Sequence, residues 1–144
     1  MKIVKISVIS GSDKQNKQKK MKKEWKIIFY KTEDGKCPVD DFLETLSVAD
    51  KEDVIEKIEY LKIVGNDIRR PHGAPLRDKI YELRVPLMNL ITRTLYFFCY
   101  EDYIVLTHSF IKKTDKVPEN EINKAIRYKK DFLNRFNKTN MKGV

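Results

Sequence analysis

The spacing of hydrophobic residues along this chain changes character three times, and each change marks a structural element. Residues 25–31, Trp25-Lys26-Ile27-Ile28-Phe29-Tyr30-Lys31, are β-branched and aromatic and predict a first strand. Asp34-Gly35 then marks a turn. From Pro38 the period becomes helical: Val39, Phe42, Leu43 and Leu46 recur on one face, with Pro38 in the first turn where it is tolerated. Ser47 predicts the cap of a second helix, whose apolar stripe is Val54, Ile55, Ile58 and Leu61, and Gly65 its stop. Between residues 80 and 111 the pattern turns strand-like again, in three runs at 80–87, 90–100 and 103–111. Pro86 with Met88-Asn89, and then Glu101-Asp102, separate the runs, which predicts an antiparallel meander. From Pro118 the spacing of Ile122, Ala125, Ile126 and Phe132-Leu133 is helical once more. The order β-α-α-β-β-β-α predicts an α+β fold, a helix pair on one face of an antiparallel sheet with the last helix at its edge or open face.

Outside these elements the sequence is polar. Residues 10–24 hold no large apolar side chain before Met21, and residues 1–24 are expected to be a basic, flexible N-terminal extension. Whether residues 1–9 add a strand is left open by their pattern. The folded domain is placed at 25–137 and a polar tail at 138–144. At 144 residues the chain has room for one hydrophobic core. No apolar run approaches the ~18 residues of a membrane span. The first nine residues interleave lysines with their apolar positions, which makes a poor signal peptide, so the expected location is the cytoplasm. Cys37 and Cys99 then read as reduced thiols, with no metal-ligand spacing around either, and Cys99 as strand packing.

Charge adds a direction. The formal net charge is +9, and residues 33–67 carry 11 acidic groups against 4 basic ones, whereas residues 68–144 carry 16 basic against 8 acidic. A chain polarised in this way presents one basic surface, suited to phosphate backbones or simply solvated.

Residues 75–118 carry a family resemblance. Pro75-Leu76-Arg77-Asp78-Lys79-Ile80-Tyr81-Glu82-Leu83-Arg84 is followed by Arg93-Thr94-Leu95-Tyr96-Phe97 and by His108-Ser109-Phe110-Ile111-Lys112-Lys113-Thr114-Asp115-Lys116-Val117-Pro118. In that order, before a helix opening Glu119-Asn120-Glu121-Ile122, they resemble the phage-derived Gp49-like branch of HigB toxins. The resemblance implies a RelE-type fold in a type II toxin–antitoxin system. It implies a metal-independent endoribonuclease, without cofactor, that cuts messenger RNA at the ribosome and is restrained by a small helix-turn-helix antitoxin of the HigA kind.

Cutting RNA without a metal requires deprotonation of a 2′-hydroxyl, neutralisation of the phosphorane charge and protonation of the leaving 5′-oxygen. The chain offers cations on successive strands for this work. Arg84 can grip phosphate bidentately, and it matches a position where RelE-like toxins keep a functional arginine. Lys113 matches a second basic position, and Lys112 is its neighbour; either lysine transfers protons only if its surroundings lower its pKa. The bland reading for all three is a solvated charge or an ion pair with Glu82 or Asp115. Arg93 alternates with Ile91, Leu95, Phe97 and Cys99, so it is either catalytic or a buried structural arginine orienting Glu82. His108 has the ordinary pKa of ~6.5 that suits proton transfer. Simple alternation puts it on the face of Leu106 and Phe110, as a packed core histidine. Arg77, Lys79, Arg69, Arg70, His72 and Lys116 are the candidates for contacting RNA. Two other readings stand beside the enzyme: a toxin-fold protein that inhibits gyrase by binding, and a non-catalytic phage-derived nucleic-acid-binding protein.

Overall fold

The computed structural model describes residues 23–113 and 115–143. The extension expected at 1–24, including the open question of a strand at 1–9, lies outside the described residues except for Lys23 and Glu24. The elements are β1 (Lys26–Phe29), α1 (Pro38–Leu43), α2 (Val48–Val64), β2 (Gly73–Pro75), β3 (Tyr81–Pro86), β4 (Ile91–Cys99), β5 (Tyr103–Lys112) and α3 (Glu119–Arg135). Each element suggested by the periodicity is present. Short 3-10 turns at Gly65–Asp67 and Lys138–Gly143, and the strand β2, are additions to that scheme.

Local chemistry explains the helix boundaries. Ser47 caps α2 by accepting a hydrogen bond from the Asp50 backbone N–H (3.1 Å). Gly65 ends it at φ +53°, and a Cβ there would lie 1.9 Å from the Trp25 indole nitrogen, so glycine is required for both reasons. Pro118 precedes α3, whose first turn carries Glu119 and Glu121 where the helix dipole favours them.

The five strands run in the order β1-β5-β4-β3-β2. The meander β3-β4-β5 is antiparallel, β2 adds to it antiparallel, and β1 joins the far edge parallel to β5. The sheet is therefore mixed, because the helix pair carries the chain back across the sheet before the meander begins. One face packs on α1 and α2 through Val39, Leu43, Val54, Ile58 and Leu61 against Leu83, Val85, Tyr96, Ile104 and Leu106. The other packs on α3 through Ala125 and Phe132 against Ile80, Leu95, Phe97 and Val105, and Met141 from the final 3-10 turns joins this core. Each such buried large side chain contributes about 1.5–3 kcal/mol, so the sheet is held from both faces. Cys37 is buried, whereas Cys99 is half-buried on the α3 side. Its thiol is pushed up to about 11, mainly by burial, and is unreactive at neutral pH.

One irregularity in β5 decides which residues face which layer. Leu95 pairs with His108 but Tyr96 with Leu106, so Thr107 is an extra residue, a β-bulge. The Thr107 hydroxyl donates to the Leu95 carbonyl (3.1 Å), which anchors the bulge. Leu106 faces the helix pair, but His108, one step beyond the bulge, faces α3. The alternation that placed His108 beside Leu106 is broken by this residue.

Candidate functional site

Directly paired residues of an antiparallel ladder share a face. Arg84 pairs with Arg93, Arg93 with Phe110, and Ile91 with Lys112, so Arg84, Arg93 and Lys112 emerge from neighbouring strands on the α3 side. They gather toward one end of the sheet, where an open groove of about 470 Å³ is lined by Arg84, Lys112, Lys113, Asp115 and the β3–β4 turn from Leu87 to Ile91. The turn is closed by the Leu87 N–H donating to the Leu90 carbonyl (2.7 Å), and Met88 at its tip is almost fully exposed.

The three cations differ in what surrounds them. Arg93 is 1% exposed and paired with Glu82, itself buried on β3. Its Nε and Nη2 have no hydrogen-bond partner among the described residues. Removing such a charge from water is costly unless it is paired, so Arg93 is held beneath the groove by its ion pair with Glu82, which offsets much of its charge. Arg84 is half-buried above it. The Lys112 ammonium is held below the usual lysine range, first by loss of hydration and then by repulsion from Arg93 and Arg84, against the opposing pull of Glu82 and Asp115. Lys113 is exposed.

The remaining sequence candidates have other places. His108 is buried; its Nε2 donates to Glu121 of α3 (2.9 Å) and its Nδ1 lies 3.1 Å from the Thr107 hydroxyl. Burial pushes it down to about 4 against the opposing effect of Glu121, so the ring is neutral at physiological pH. It is four residues from Lys112 along β5, roughly 13 Å at strand rise. Tyr128 lies edge-on to it, with ring centres 5.9 Å apart, and Phe110 stacks on its other side at 5.7 Å. His108 is thus part of the α3 packing. Arg77 is occupied in tying β2–β3 to α3: its Nε donates to Glu119 (3.0 Å) and its Nη2 to Glu119 (2.8 Å) and Asn123 (2.6 Å). Lys79 is exposed beside it at a left-handed turn position, φ +60°. Lys116 is exposed in the loop before α3.

Arg69 and Arg70 sit apart from the groove, whereas His72 lies beside it: its carbonyl accepts from the Arg84 backbone N–H (2.8 Å), and it lines a small recess with Arg84 and Ile91. His72 accepts from Lys57 of α2 (2.8 Å) and packs on Tyr60. Arg69 and Arg70 border a second cavity beside Tyr81, Tyr96 and Phe98, on the helix-pair face. Sequence reasoning missed Asp115 and the apolar hairpin tip as groove walls, and Glu121 as the partner of His108. Among the described residues, no group of His, Cys, Asp and Glu is placed to hold a metal ion, and no helix is long and apolar enough to cross a membrane.

Comparison with known proteins adds a family. The model of the family described as phage-derived protein, Gp49-like, matches residues 41–130, a span that contains Arg84, Arg93, Lys112 and Lys113. No curated protein matches the chain.

Proposed function

The chain belongs to the phage-derived, toxin-like Gp49-like family, and on that basis we propose that it is the toxin of a type II toxin–antitoxin pair, a metal-independent endoribonuclease that cuts messenger RNA at the ribosome. The observation that carries this reading is the convergence of Arg84, Lys112 and Lys113 on one groove, over a buried Arg93, with the Lys112 ammonium held below the usual lysine range by lost hydration and by Arg93 and Arg84. In the proposed reaction the neutral Lys112 amine accepts the 2′-hydroxyl proton as that oxygen attacks the adjacent phosphorus. Arg84 neutralises the charge gathering on the phosphoryl oxygens, the bond to the 5′-oxygen breaks, and the resulting lysine ammonium returns a proton to it. Lys113 holds a neighbouring phosphate. Glu82 and Arg93 act as positioning residues by fixing the strand pair, and Arg93 also lowers the Lys112 pKa. A helix-turn-helix antitoxin is the proposed restraint, and the cytoplasm the proposed location.

The test is tightly induced expression in a bacterial host with mapping of messenger RNA 5′ ends. Wild type is expected to arrest growth and create new ends within translated codons; Arg84→Ala is expected to lose both, with a drop of 100-fold or more in cleavage, on the order of one oxyanion donor. Lys112→Arg keeps the charge but cannot deprotonate. In vitro, the wild-type rate should climb with pH as the amine loses its proton, a limb absent from Lys112→Arg. Arrest without RNA cleavage sinks the ribonuclease reading and moves gyrase inhibition forward.

A further inference from the structure

The second cavity, about 560 Å³, lies on the opposite face of the sheet from the cation groove. Tyr81 pairs directly with Tyr96, and both share the side of Leu83 and Val85 rather than that of Arg84. Its wall is aromatic: Tyr81 stacks on Tyr96 with ring centres 5.6 Å apart at 21°, and Phe98 meets both edge-on at 5.2 and 5.7 Å. Tyr81 and Phe98 are only partly buried and offer ring surface to the cavity. Tyr96 is fully buried, and its hydroxyl has no hydrogen-bond partner among the described residues. Such an unpaired buried hydroxyl is a recurrent sign of a missing partner. At the rim stand two adjacent exposed guanidinium groups, Arg69 and Arg70, delivered by the loop that leaves α2.

We propose that this cavity binds a nucleotide: a base against Tyr81 and Phe98, its polar edge toward the Tyr96 hydroxyl, and its phosphate on Arg69 and Arg70. Aromatic walls favour a planar guest of any base identity, because every base has a π-face. Two neighbouring guanidiniums suit a phosphate dianion better than a single carboxylate. The volume falls within the ~300–1,000 Å³ of small-ligand pockets. The nucleotide is either free or one residue of an RNA strand. The proposal does not rest on the ribonuclease reading, since none of the cavity's residues lines the cation groove.

The experiment is an NMR titration of the full chain with the four nucleoside 5′-monophosphates, the matching nucleosides, and a single-stranded RNA trinucleotide. Saturable shifts at the Tyr81 and Phe98 rings are expected, weakened about tenfold or more in R69A/R70A and in the nucleosides. Tyr96→Phe, which keeps the ring and the packing, is expected to weaken binding by a smaller factor. Binding of the monophosphates identifies a free-nucleotide site, and binding of the trinucleotide alone an RNA path. Absence of saturable shifts with either, or equal affinity for nucleosides and monophosphates, overturns the proposal. Arg84→Ala should leave these shifts unchanged while abolishing cleavage, so the two readings fail separately.

Discussion

Burial sets the chemistry of individual residues here more than residue type does. Arg93 and Lys112 are both cations of the meander, yet Arg93 is locked against Glu82 while Lys112 faces the groove. His108 shows the same effect in a different direction. Its proton affinity falls on folding, from 6.5 to about 4, so the unfolded chain is the better proton binder across that interval. Stability is therefore present above pH 6.5 and is lost as pH falls toward 4. The loss approaches roughly 3 kcal/mol if the whole shift is expressed in the buried ring. Denaturant unfolding at pH 7 and pH 5 should show a clear decrease in wild type and a smaller one in His108→Gln. Equal decreases in the two proteins would mean that the histidine stays solvated or charged.

At the scale of elements, the sharpest constraint is where α2 stops. Gly65→Ala forces a left-handed non-glycine residue and pushes a methyl group into the Trp25 indole. A loss of about 3 kcal/mol or more is expected from the strain and the displaced core aromatic together, read as a lower thermal midpoint. An unchanged midpoint would show that Trp25 swings away at little cost. This boundary was legible in the sequence because capping is local: Ser47 and Gly65 announce it through their own chemistry. The Arg93–Glu82 pair was legible for a related reason, since a hairpin brings residues 11 apart in sequence close together. β2 was not. Gly73-Ala74-Pro75 has no β-branched residue, and it becomes a strand only because β3 offers it a ladder at Leu83, Glu82 and Tyr81. The pairing of His108 with Glu121 was equally hidden, because it needs the last helix to dock across the sheet. The parallel placement of β1 follows from how the helix pair returns the chain, which no local pattern encodes.

For the whole molecule, charge is divided between the two sides of the sheet. The acidic residues of 33–67 belong largely to α1 and α2, on one face, whereas Arg84, Lys112 and Lys113 open on the other. Such a division orients an approaching polyanion and raises its encounter rate in a salt-dependent way. Each phosphate neutralised on a single strand contributes about −0.7 to the slope of log affinity against log salt. Lys113→Ala, an exposed change that spares the core, should flatten that slope for a short RNA by about 0.7. An identical slope would remove Lys113 from the contact.

The bulge at Thr107 has a consequence for how this protein can change over time. Parity along β5 is reset at that single residue, so the strand obeys one in-out code before it and the reverse code after it. Losing the Thr107 codon would remove the extra residue and leave a regular ladder, with Lys112 still opposite Ile91. Losing a codon from residues 108–111 with the bulge kept would instead turn Lys112 toward the helix pair. A lineage could shed the bulge residue itself and keep its groove, but it could not drop a residue between the bulge and Lys112 without surrendering it. The length of this strand is therefore inherited as strictly as its letters everywhere but at the bulge.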